Sequence, residues 1–194
     1  MDAAEFAARR HELPDGGRWT ELVAGEPVML APPEPLHGTF VSNLSQFLAD
    51  ATAKNAAAGR YGAGAAFETG LRTAADPDTV RFPAAAVFAS GVFAQLDRVI
   101  ADAVPAVAVE VPGTADRRRG VGRRIEEYHA AGVAAVWVAD IADETIRVAR
   151  PHEPPETFAG ADRLTCDPLP GFAPTVEELF ALPEWWTNQV RRKP

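Results

Sequence analysis

VPAVAVEVPGTADRRRGVGRRIEEYHAAGVAAVWVAD, residues 104–140, is the stretch whose reading decides the fold. Residues 104–111 form a β-branched run diluted by alanine, the composition of a central strand buried on both faces. Pro112-Gly113 bends the chain away. Residues 117–131 then read as a helix, with Val121, Ile125 and Tyr128 along one side and Gly132 as its C-terminal stop. Residues 134–139 read as a second buried strand. A strand–helix–strand unit of this kind closes as a crossover, which implies a mixed sheet with helices packed on its faces. The fold class is therefore α/β (α+β).

Working outward, residues 37–57 carry Phe40, Leu44, Phe47, Leu48 and Ala51 at three- and four-residue spacing, one apolar stripe of a long helix. Before it, residues 18–30 read as a β-hairpin turning at Ala24-Gly25, and Pro32, Pro33 and Pro35 break the pattern. The first ten residues form a short amphipathic helix ended by Pro14-Asp15-Gly16-Gly17. Strands are expected at residues 61–67, 70–73 and 80–89, with a turn at Asp76-Pro77-Asp78. Residues 145–149 and segments near Phe158 and Leu164 suggest an antiparallel extension. Thr175, followed by Glu177 and Glu178, caps a last helix over residues 175–182. The expected organisation is an N-terminal extension at 1–18, one domain at 19–182 and a C-terminal tail at 183–194. Trp185 and Trp186 precede the basic Arg191-Arg192-Lys193.

At 194 residues, 47% hydrophobic and 24% charged, the chain has the composition of a globular domain able to bury a substantial core. Its longest apolar runs, residues 105–109 and 133–138, are too short to cross a bilayer. No apolar run follows Arg9 and Arg10, so no signal peptide is read and the cytoplasm is the expected location. Cys166 is alone, which excludes an intramolecular disulfide and a cysteine metal cluster. The formal net charge of −8 works against tracking phosphates, so nucleic-acid binding would need a metal, a basic face or an oligomer.

Glu110 is the most informative acid. At the end of an apolar run a carboxylate is costly to bury unless paired or bound to a cation. The alternative, a solvated Glu110 where the strand ends, weighs equally on pattern alone. His37 opens the first long helix, where a histidine is usually a cap or surface group. Glu21 sits in the hairpin alternation, where such residues usually face solvent. Arg117, Arg118, Arg119, Arg123 and Arg124 wrap more than half of their helix rather than forming one stripe. Arg123 and Arg124 are expected to pair locally with Glu126 and Glu127, and a phosphate role for some of the five stays open. Gly62-Ala63-Gly64 lacks the third glycine of a dinucleotide loop, and Gly120-Val121-Gly122 marks local helix weakness. Cys166 is a weak candidate nucleophile. No Walker loop, serine-hydrolase elbow or paired-histidine metal helix is present. The residues alone reach a mixed α/β domain with an acidic site near Glu110.

Several segments together resemble the Uma-two family, a bacterial group of restriction-type endonucleases with the PD-(D/E)XK fold. Glu21-Leu22-Val23-Ala24-Gly25-Glu26 resembles its opening hairpin, and His37 matches the histidine that starts its first helix. Residues 107–111 resemble its "LVVEV" strand, which places Glu110 on the family's acidic metal ligand. Tyr128-His129-Ala130-Ala131-Gly132-Val133, with Val136-Trp137-Val138-Ala139-Asp140, resembles its "YaxaGVxxYWlvD" stretch. Leu169-Pro170-Gly171-Phe172 with Val176, Leu179 and Phe180 resembles its closing segment. The resemblance runs from Trp19 to Phe180. It implies a restriction endonuclease-like central sheet, catalytic Glu21, His37, Glu110 and the residue at 124, a Mg²⁺ or Mn²⁺ cofactor, DNA as partner and a homodimer.

Three positions depart from that pattern. Pro83 is followed by Ala84 where the family places the aspartate ligand. Gly113 replaces the usual serine, and Arg124 stands where a lysine is expected. Mg²⁺ uses few carboxylates, so losing one should weaken binding severely. Arg124 can hold a phosphate but stays protonated and cannot serve as a base. Asp78, six residues before Ala84, lies roughly 20 Å away along an extended strand at about 3.3 Å per residue, too far to substitute. The expectation is a degenerate nuclease-fold protein that acts by binding. The alternatives are an active metal-dependent endonuclease with a rebuilt site, or a protein–protein interaction module using Trp185 and Trp186.

Overall fold

The computed structural model describes residues 1–60, 63–89, 99–183 and 186. A short helix α1 (Ala3–Arg9) leads through two 3₁₀ turns into the hairpin β1 (Thr20–Val23) and β2 (Glu26–Met29). Ala24 and Gly25 form the hairpin turn with positive φ, 50° and 80°. The first long helix, α2 (Pro35–Ala57), begins on the proline that the broken pattern leads into. Strands β3 (Gly64–Phe67), β4 (Gly70–Ala74), β5 (Thr79–Arg81) and β6 (Ala85–Phe88) follow. The run expected as one strand over 80–89 is thus two, broken at Phe82-Pro83-Ala84. Proline cannot donate to a ladder, and there the chain leaves one sheet for another. Tyr61 and Gly62 lie outside the described residues.

A two-residue strand β7 (Ile100–Ala101), which the pattern does not reveal, precedes the crossover unit: β8 (Val107–Glu110), α3 (Ala115–Ala130) and β9 (Ala135–Asp140). β8 and β9 pair in parallel, as the crossover requires. The glycines at 120 and 122 do not interrupt α3. β10 (Thr145–Ala149) and β11 (Glu156–Ala159) extend the sheet antiparallel. Leu164 contributes no strand; its neighbour Arg163 makes an isolated bridge to Thr175. Thr175 caps α4 (Val176–Phe180) through a reciprocal capping box with Glu178.

The mixed central sheet runs β11-β10-β9-β8-β6-β3, and a second sheet runs β2-β1-β5-β4-β7. Alternation divides the central sheet into two apolar faces. Ala85, Val87, Val107, Val109, Trp137 and Ala139 pack against Phe40, Leu44 and Leu48 of α2. The intervening Ala86, Phe88, Ala108, Val136 and Val138 pack against Tyr128 of α3. Phe6 of α1 closes a third cluster with Leu22 and Val80. No described helix is long and apolar enough to cross a membrane.

Candidate functional site

Glu110 continues the face of Ala108, not that of Val107 and Val109. Its side chain therefore turns toward α3, and the residue is only 2% exposed. The solvated alternative does not hold. Glu21 is equally buried, at 2%, which corrects the expectation that it faces water. Both faces of β1 are covered: Leu22 meets Phe6, while Glu21 meets Arg124. Alternation is intact, but the polar side is as buried as the apolar one.

Arg124 joins the two acids. Its guanidinium donates to both oxygens of Glu21, at 2.8 and 2.6 Å, and to Glu110 Oε1 at 3.3 Å. This corrects the expectation of a local pair with Glu126 or Glu127; only Arg123 pairs that way, donating to Glu127 at 2.8 Å. Arg124 lies four residues before Tyr128 and three after Val121, inside the stripe that α3 turns to the sheets. Tyr128 donates its hydroxyl to the same Glu110 Oε1 at 2.6 Å. Arg81, on the last position of β5, donates to Glu21 at 2.9 Å and grips Glu127 with two bonds of 2.7 and 3.0 Å. The Phe82 amide donates to Glu21 Oε1 at 3.2 Å.

The electrostatics follow from this closed array. Burial works against the charge on Arg124, but Glu110 and Glu21 overcome it and hold the guanidinium above its ordinary value. Burial pushes the Glu21 carboxyl up, and Arg124 with Arg81 outweighs it, leaving the group below the usual glutamate value. Burial, reinforced by Glu110, raises the Tyr128 phenol well above its ordinary range. The Tyr128 hydroxyl is therefore a donor and Arg124 a fixed cation at any ordinary pH.

Glu21, His37, Ala84 and Glu110 border one small cleft of about 40 Å³. Arg124 lies behind its floor, bound to the two acids. Asp78 is committed elsewhere: its carboxylate accepts from the Ala3 amide at 2.7 Å and from Arg72 at 2.6 Å. Among the described residues no three of histidine, cysteine, aspartate and glutamate are grouped to hold a metal ion. Cys166 is buried, and burial pushes its thiol up to about 12, which is wrong for a nucleophile. Sequence reasoning missed Arg81 altogether, and it read Glu127 only as a local partner on α3, not as the partner of Arg81. The placement of Arg124 within an apolar stripe was the available signal for a buried cation. Trp185 and the basic residues 191–193 lie outside the described residues; the Trp186 amide donates to the Pro183 carbonyl.

The profile of a family, Uma2, described as "Putative restriction endonuclease", matches residues 5–177. No curated protein matches the chain. Among solved structures, one described as a "putative nuclease belonging to DUF820 from Anabaena variabilis ATCC 29413" superposes with a TM-score of 0.67. The two sequences are 20% identical, and the match covers 87% of this chain and 93% of the other. At that identity the likeness shows the fold, which is restriction endonuclease-like.

Proposed function

The chain belongs to the Uma2 family, and on that premise we propose that it is a nuclease-fold protein impaired in metal-dependent cleavage that acts by binding nucleic acid. The observation that carries this reading is the bidentate grip of Arg124 on Glu21, with its further contact to Glu110, beside an alanine at position 84. A divalent ion here would need carboxylates free to turn toward the cleft. Glu21 and Glu110 already have a cation, one that cannot be deprotonated, and Glu68 on the rim is paired with Arg18 at 3.6 Å. Ala84 brings no donor atom. The residues as arranged do not fit Mg²⁺ or Mn²⁺, so no hydrolytic step is assigned to a metal here.

The same arrangement removes the usual base. A lysine at position 124 can shift its proton affinity and position water, whereas the guanidinium of Arg124 is turned inward and saturated by carboxylates. What remains is a cleft between two helix starts, bordered by Arg10, Arg18 and Arg117. Glu21, Glu68 and Glu110 border it too, and in a chain of net charge −8 these arginines are the groups of the cleft that could meet a nucleic-acid phosphate. A homodimer belongs to the same proposal and rests on the family resemblance, and a cytoplasmic location is proposed from the sequence, where no apolar run follows Arg9 and Arg10.

The test is cleavage of plasmid and single-stranded DNA by the purified protein with Mg²⁺ or Mn²⁺. The comparison set is Glu110→Ala, Ala84→Asp and the double variant Ala84→Asp with Arg124→Lys. Silence in the wild type with turnover gained in the double variant supports the reading. Wild-type cleavage that Glu110→Ala abolishes refutes it and establishes an active nuclease with a rebuilt site.

A further inference from the structure

We draw no further inference here: the strongest candidate, the mainly apolar hollow of about 700 Å³ between α1, β4, β7 and the end of α3, carries none because nothing in the structure shows what covers it.

Discussion

Replacing Arg124 by methionine removes the cation that two buried carboxylates share, at nearly unchanged length. The loss falls unequally on them. Glu21 keeps Arg81 at 2.9 Å and the Phe82 amide at 3.2 Å, whereas Glu110 keeps only the Tyr128 hydroxyl. Breaking a buried ion pair by deleting one partner costs about 3–5 kcal/mol. A ceiling applies, because the stranded carboxylate can take up a proton instead of staying charged. For an ordinary glutamate that uptake costs about 3.7 kcal/mol at pH 7 and about 1 kcal/mol at pH 5, at about 1.36 kcal/mol per pH unit. Arg124→Met should therefore lose about 3–4 kcal/mol at pH 7, and its deficit against wild type should narrow to about 1–2 kcal/mol at pH 5. In a domain of this size the pH 7 loss corresponds to a drop in Tm of roughly 6–16 °C. Adding Glu110→Gln removes the stranded charge and should restore about 1–3 kcal/mol at pH 7. Urea denaturation of the three proteins at both pH values reads all of this. A loss under about 1 kcal/mol, or a deficit equal at both pH values, would show that the array does not hold the acids as described.

Tyr128→Phe leaves Glu110 with Arg124 alone at 3.3 Å; it should lower stability by about 1–3 kcal/mol in the same urea assay, and an unchanged midpoint would contradict the hydrogen bond. The Glu21 carboxyl sits below its usual value of 4.5, so the stability it contributes is fully present above about pH 4.5 and is lost as pH falls through its lower native value. Melts from pH 6 to pH 2.5 should show Glu21→Gln less acid-sensitive than wild type; parallel curves would count against it. Cys166 is 4% exposed with its thiol pushed up to about 12. It should resist a disulfide reagent at pH 8 and react fully in urea, and prompt reaction in the native protein would contradict its burial.

The crossover was legible because its three parts each carry a strong local signal: two β-branched runs, and a helix bounded by Pro112-Gly113 and Gly132. The hairpin around Ala24-Gly25 and the cap at Thr175 were readable for the same reason, since turn and cap chemistry is local. The break at Phe82-Pro83-Ala84 was harder. A proline inside an apolar run could mark an edge strand, and only the second sheet explains why the chain turns there. The burial of Glu21 was not readable from the hairpin alone, because its alternation is ordinary. What differs is that α1 covers one face while Arg124, about a hundred positions further on, covers the other. Arg81, and its pairing with Glu127, were invisible for that reason too. Each looks like a surface charge until β5 and α3 are brought together.

The array of Glu21, Arg81, Glu110 and Arg124 also links the two sheets, since β1 and β5 belong to one and β8 to the other. Its longest closure joins residues 103 positions apart. Contacts of such separation carry a high loop-closure cost and form only after the local hairpins and the crossover exist. In kinetic terms the array is expected on the native side of the folding barrier, where it would govern how slowly the protein comes apart more than how fast it assembles. A chevron of Arg124→Met should accordingly show most of its destabilisation in the unfolding limb, and a matching slowdown in the folding limb would place the array in the nucleus. Acids locked onto arginine in this way lengthen the residence time of the folded state.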